Sequence, residues 1–294
     1  MSNILVAIAL NERHENLLAY ALWLARHLDS RPFISLLSVS DYSLTPPVYL
    51  LPYLERERKK NRVLLSALTD KIRAFGVDSS YTLAIGRLIE SFRAAIEETD
   101  AKFLVLGHKS HLVRRSSSEK MISTLDIPML VVRGKRAEEA TMEGIDVRHI
   151  LCAVDFSKDS LNAIELIKRL YKNRDEDIRL TILNVISSHP IEGLFSFWDH
   201  VELSKKSEYY EELMRSRGDR LGSIEVSGIR VERVCRVGVP YETINKVAMQ
   251  VEADIIFMGA KGLSDMDGVR IGSVTEAVIK TSPCPVMVVT SNNA

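Results

Sequence analysis

Cysteine is scarce in this sequence and its three copies stand far apart. Cys152, Cys235 and Cys284 are the 3 cysteines of 294 residues, and no two form a C-x-x-C pair. Zinc knuckles and disulfide frameworks need paired, closely spaced thiols, so the three read as small buried hydrophobes. Net charge is lacking too, because 39 basic side chains cancel 39 acidic ones. Phosphate backbones are bound largely through concentrated Lys and Arg, which argues against a nucleic-acid partner. Clusters such as Arg56-Glu57-Arg58-Lys59-Lys60 mix acids with bases and read as a solvated helix face. No apolar run approaches the ~18 residues that span a bilayer, and Met1-Ser2-Asn3-Ile4 lacks the charged flank of a signal peptide. The expectation is a cytoplasmic chain without membrane insertion.

What is present is a globular composition, 46% hydrophobic and 27% charged, too apolar for intrinsic disorder. At roughly 150 residues per domain the length suggests two domains. An internal repeat supports this. Ile4-Leu5-Val6-Ala7-Ile8 returns as Ile150-Leu151-Cys152-Ala153-Val154, at an offset of 146. The same offset relates Ser35–Val39 to Thr181–Val185. Ala101–Gly107 matches Ala253–Gly259 at 152, and Pro128–Val132 matches Pro285–Val289 at 157. Two diverged copies of one domain, residues 1–133 and 146–294, account for all four matches. The polar stretch Gly134–Thr141 has no apolar periodicity and reads as the linker.

Within each copy short apolar runs alternate with amphipathic stretches. Ile255-Ile256-Phe257-Met258 is apolar throughout, as strands buried on both faces of a parallel sheet tend to be. Asn162–Leu170 carries apolar residues at helical spacing, with a helix start at Asp159-Ser160. Five such strands per copy predict an α/β chain of two tandem Rossmann-like domains, each a five-stranded sheet flanked by helices.

Ligands of such sheets bind beyond the carboxyl ends of the strands, where strand order reverses. In the second copy Asp155 follows the first strand, and Gly259 closes the fourth. From Gly259 the chain runs Gly259-Ala260-Lys261-Gly262, then nine residues, then Gly272-Ser273-Val274-Thr275 at a helix start. Glycine permits left-handed backbone and close approach to a ligand. Unpaired N–H groups at a helix start attract anions, and the hydroxyls of Ser273 and Thr275 add donors there. Asp155 could accept hydrogen bonds from a sugar diol. Together these features describe a nucleotide cradle. The pattern G-x-x-x-x-G-K-[ST] is absent, which disfavours a Walker-type motor ATPase.

The loop Gly259–Thr275, the opening Val154-Asp155-Phe156-Ser157 and the ending Pro283-Cys284-Pro285-Val286 resemble the ATP-binding branch of the universal stress protein family, in its tandem form. The resemblance implies a strand order 3-2-1-4-5. It also implies roles: Asp155 on the ribose, main-chain groups of Ala153 and Val185 at the adenine, and Met258 and Gly259 beside the ribose and α-phosphate. Gly262, Gly272, Ser273, Val274 and Thr275 would hold the phosphates. The ligand it implies is ATP, ADP or AMP, with Mg²⁺ as an optional companion. No catalytic residue and no protein-bound metal is expected.

The first copy departs from that pattern. Ala9 stands at the position of Asp155, Ser110 at that of Gly262, and Arg115-Ser116-Ser117-Ser118 at that of Gly272–Thr275. One competent site per chain is therefore expected. His108 and His111 have metal-like spacing but lack an evident third ligand, and Asp265-Met266-Asp267-Gly268 is only part of a calcium loop. The aromatic segment Phe195-Ser196-Phe197-Trp198 reads as a packed loop, a lid or a partner surface.

The functional expectation is a regulatory adenine-nucleotide-binding protein of the stress response. A slow ATPase or nucleotidyl transferase is the enzymatic alternative, with Asp265 or Asp267 as its only candidate bases; a nucleotide-independent binding scaffold is the third reading. Met129–Val132 and Val286–Val289 are apolar final strands. Since exposed apolar edges invite aggregation, and the family resemblance implies pairing through these strands, an intramolecular pseudo-dimer is expected, with a homodimer as a further option.

Overall fold

The computed structural model describes residues 2–9, 14–28, 31–40, 51–107, 121, 124–172, 174, 176–188, 203–263 and 271–290. The chain divides into two compact units between Ile145 and Asp146. In the first, β1 (Ser2–Ala7), β2 (Pro32–Ser40), β3 (Asp78–Ile85), β4 (Ala101–Gly107) and β5 (Met129–Val132) alternate with α1 (Glu15–Arg26), α2 (Leu51–Ala74) and α3 (Leu88–Thr99). A one-turn helix, α4 (Lys135–Glu138), follows. The second unit holds β6 (His149–Ala153), α5 (Lys158–Leu170), β7 (Arg179–Ser187), α6 (Leu203–Gly222), β8 (Arg230–Gly238), α7 (Pro240–Gln250), β9 (Ile255–Gly259), α8 (Ser273–Thr281) and β10 (Val286–Val289).

Both sheets are parallel and share one strand order, β3-β2-β1-β4-β5 and β8-β7-β6-β9-β10. This is the expected 3-2-1-4-5. The registers agree as well. Ile4 pairs with Ile34 and Phe103, and 146 or 152 residues later Ile150 pairs with Leu180 and Ile255. Leu104 pairs with Met129 as Ile256 pairs with Val286. Ile34 pairs with Ser79, and Leu180 pairs with Val231. The offset thus rises from 146 to 152 between β7 and β8, which locates the six residues gained by the second copy. A shared register means that residues at these offsets occupy equivalent places in the two units.

The strands are apolar because helices cover both faces. Every residue of β6, β9 and β10 is buried. Full burial of side chains such as Ile255, Ile256 and Phe257 contributes about 1.5–3 kcal/mol each. Helix α5 buries Ala163, Ile164, Leu166, Ile167 and Leu170 on one face. Its start is set by Ser157, whose hydroxyl accepts the Ser160 N–H at 3.3 Å. Pro240 opens α7, where its fixed φ is already helical and its missing N–H costs nothing.

The stretch Gly134–Thr141 is more ordered than a bare linker. Ala137 is buried, α4 occupies one turn, Thr141 bridges Gly144, and Met142 just beyond the stretch is buried as well. Two widely spaced apolar residues make no periodic signal, which is why the pattern concealed them. Cys152 and Cys284 are buried as expected, while Cys235 is half-buried. No helix among the described residues is long and apolar enough to cross a membrane.

Candidate functional site

Strand β6 pairs with β7 on one side and β9 on the other, so strand order reverses between β6 and β9. A cleft of about 210 Å³ opens beyond their carboxyl ends. All ten residues singled out in the second copy line it: Ala153, Asp155, Val185, Met258, Gly259, Gly262, Gly272, Ser273, Val274 and Thr275. They come from strand ends and one helix start separated by over a hundred residues, and the sheet brings them together.

The cleft has two chemically distinct ends. Leu183, Val185, Pro240, Ile244 and Met258 supply an apolar wall. Gly272–Thr275 supply a helix start. The first bond of α8 is that of the Glu276 N–H to the Gly272 carbonyl at 2.9 Å. The N–H groups of Ser273, Val274 and Thr275 therefore precede the helical ladder, at the positive end of its dipole. Gly272 donates its own N–H to the Ala260 carbonyl at 2.8 Å, tying the helix start to the end of β9.

Asp155 is fixed by its neighbours. One carboxylate oxygen accepts the Ser157 N–H at 3.0 Å and the Ser157 hydroxyl at 2.6 Å. The other accepts the Leu263 N–H at 3.0 Å. Burial pushes its pKa up, but hydrogen bonds from Ser157, Ser160 and the Leu263 N–H outweigh that and hold it below the usual carboxylate range. It is ionised at neutral pH. Its carboxylate also lines the cleft, where a ligand can reach it. The residue after it, Phe156, is left-handed at φ +67° and carries the Arg220 guanidinium 3.9 Å above its ring centroid. Such a conformation is uncommon for a bulky side chain, and cation–π contact helps to hold the ring there.

Three roles differ from the sequence reading. The Thr275 hydroxyl is buried and donates to the Gly259 carbonyl at 2.9 Å, so its proton is not available to a ligand. Gly272 has φ −73°, and Gly259 lacks a left-handed φ as well. Gly259 is required by packing instead. A Cβ there would lie 2.6 Å from the Ser160 nitrogen and 2.8 Å from the Asp159 Cβ. Strand β7 also continues two residues past Val185, to Ser187.

Sequence reasoning missed several contributors. Pro240 and Ile244 reach the cleft from α7, and Ser160 from α5. Asn184, buried on β7, donates to the Val154 carbonyl at 2.7 Å and holds the β6 exit against β7. Pro240, two residues past the end of β8 at Gly238, was the available signal for α7. Asn184 gave none, because a lone polar residue in an apolar strand has many readings.

In the first unit Ala9 is the true counterpart of Asp155. The Ile8 N–H donates to the Leu37 carbonyl at 2.9 Å as the Val154 N–H does to Leu183 at 2.8 Å. Ser110, Arg115–Ser118, His108, His111, Phe195, Phe197, Trp198, Asp265 and Asp267 lie outside the described residues. Among the described residues no group of three or more His, Cys, Asp or Glu could hold a metal ion.

The architecture is that of a tandem Rossmann-like α/β protein with a strand-order cleft in its second unit. The model of the universal stress protein family matches residues 1–133 and again 146–290. The chain belongs to that family. It is similar to universal stress protein MJ0577 of Methanocaldococcus jannaschii, 31% identical over 159 residues, which cover 50% of this chain and 97% of that protein. Among solved structures it is similar to a universal stress protein from Archaeoglobus fulgidus. There the TM-score is 0.71 at 22% identity, over 98% of this chain and 96% of the other. Protein PA1789 of Pseudomonas aeruginosa gives 0.64 at 16% identity, over 98% and 92%. These two likenesses concern the fold.

Proposed function

We propose that the cleft of the second unit holds one adenine nucleotide, ATP, ADP or AMP, and that the chain acts as a regulatory nucleotide-binding protein in stress adaptation. The observation that carries this reading is the polarity of the cleft. An apolar wall suits a base, a fixed ionised Asp155 suits a ribose hydroxyl, and the α8 start suits phosphate. Asp155 accepts from a hydroxyl of the diol. Ser273 keeps an exposed hydroxyl beside the phosphate, whereas Thr275 contributes its N–H. Mg²⁺, where present, arrives with the nucleotide rather than with a protein site. The domain assignment 1–133 and 146–294 belongs to the same reading, with the first copy as a degenerate partner that pairs with the second through their apolar final strands. A cytoplasmic setting accompanies it.

Calorimetry on the full chain with ATP, ADP and AMP tests the proposal. One site per chain is the expected result. Two equivalent sites, or none with all three ligands, would overturn it.

A further inference from the structure

Asp159 does not line the cleft, yet it is 5% exposed and its carboxylate faces the cleft's glycine loop. Its Oδ2 accepts the Lys261 N–H at 3.1 Å. Around it the loop has little slack. Gly259 packs against the Asp159 and Ser160 backbone closely enough to exclude a Cβ. The Ala260 N–H donates to Val289 at 2.8 Å, and the Leu263 N–H to Asp155 at 3.0 Å. The Ser157 hydroxyl lies 3.1 Å from the Lys261 carbonyl. Asp159 thus supplies the acceptor that ties the middle of the turn to the first turn of α5. A carboxylate is well placed there, because the helix dipole favours negative charge in a first turn.

We propose that Asp159 is a positioning residue for the phosphate arm of the site, setting the Lys261-Gly262 turn through the Lys261 main chain. The geometry of the turn supports it, since Asp159 holds the Lys261 N–H and Asp155 the Leu263 N–H, so two carboxylates fix residues on either side of Gly262. Asp155 differs from Asp159 in facing the cleft, so the two separate by ligand. Asp155 acts on the nucleoside part, and Asp159 acts only where phosphate is bound. The phosphate half of this inference rests on the nucleotide reading above; the tethering of Lys261 does not.

Two measurements on the full chain test it. Hydrogen exchange without ligand reads the tether directly. Asp159→Ala should raise exchange at the Lys261 amide, while Asp159→Asn, which keeps an acceptor oxygen in the same place, should leave it near the wild-type rate. Calorimetry with ATP and with adenosine then reads the consequence. Asp159→Ala should weaken ATP by about tenfold, the scale of one lost charge-assisted bond. Adenosine should shift less than about twofold by the same measure, and Asp159→Asn should recover most of the ATP affinity. Should the alanine variant fail to fold, Asp159→Ser, too short to reach Lys261, takes its place. Unchanged exchange at Lys261 overturns the tether. Equal losses for ATP and adenosine overturn the phosphate-specific role, as does an Asn variant no better than Ala. A wild type that binds no adenine nucleotide while the exchange result holds overturns the proposed function and leaves Asp159 as a tether alone.

Discussion

Asp155 is the residue on which sequence and structure place the most weight. Its carboxylate holds Ser157 and the Leu263 N–H and lines the cleft, so truncation removes both the proposed ligand contact and a loop anchor. Asp155→Ala should weaken ATP by at least about tenfold, given ~1.5–3 kcal/mol for each bond to a charged group. Adenosine should lose affinity as well, since the ribose is common to both. An ATP affinity equal to wild type would reject the ribose role. His149, at the opposite end of β6, makes a different prediction. It is buried, with Nε2 2.8 Å from the Thr181 hydroxyl. Burial holds its pKa below the ordinary value of 6.5, and Arg179 acts the same way against Val251, Asp254 and Glu232. The fold therefore favours neutral imidazole, and the unfolded chain binds the proton more readily. Stability should rise with pH between the folded pKa and about 6.5 and fall as pH drops through that window. Thermal melts from pH 7.5 to 5 should show a flatter decline for His149→Gln; parallel curves would remove His149 from the account.

At the scale of elements the decisive contact is between β9 and α5. The close approach at Gly259 brings the strand end against the start of the helix, and the loop that follows inherits its position from that contact. Gly259→Ala should destabilise the chain by about 1–3 kcal/mol, the usual cost of overpacking a tight site. For a unit of this size that is a fall in Tm of about 2–4 °C per kcal/mol. A melting temperature unchanged from wild type would show that α5 can recede without cost. Elements of this kind were legible in outline. Apolar runs marked the strands of both copies, Asp159-Ser160 marked the start of α5 within two residues, and Gly272 marked the start of α8. The contact that requires Gly259 was not legible. The glycine pattern advertised conformational freedom, whereas the backbone there is ordinary and the constraint comes from atoms a hundred residues earlier.

At the scale of the whole molecule, two copies of one fold have kept their registers, while the first carries Ala9, Ser110 and Arg115 where the second has Asp155, Gly262 and Gly272. Strand pairing is enforced by buried side chains on both faces, so insertions and losses accumulate in the connections and at the strand ends. The six residues gained by the second copy lie between β7 and β8, and five more lie between β9 and β10. The proposal that the final strands pair has a direct consequence. Residues 146–294 expressed alone should dimerise or aggregate through the apolar strand Val286–Val289. Sedimentation at increasing concentration checks this, and a soluble monomer throughout would reject the interface.

Periodicity and repetition in the sequence by themselves determined the class of fold, the duplication and the approximate positions of the strands. These are properties of local pattern, because burial on both faces demands apolar runs and a repeated register demands repeated spacing. They also pointed to Asp155, Gly259, Gly262 and Gly272 in the cleft, since strand ends and helix starts must converge at the switch point of such a sheet, whereas Ala153, Val185 and Met258 came from the family resemblance. Only the tertiary structure decided what each group does there. It assigned the Thr275 proton to the Gly259 carbonyl, tied Asp155 to Ser157 and the Leu263 N–H, and made Asp159 and Asn184 partners of distant backbone. Hydrogen bonds and Cβ contacts depend on distances of a few tenths of an ångström between segments far apart in the chain, and no local pattern records them.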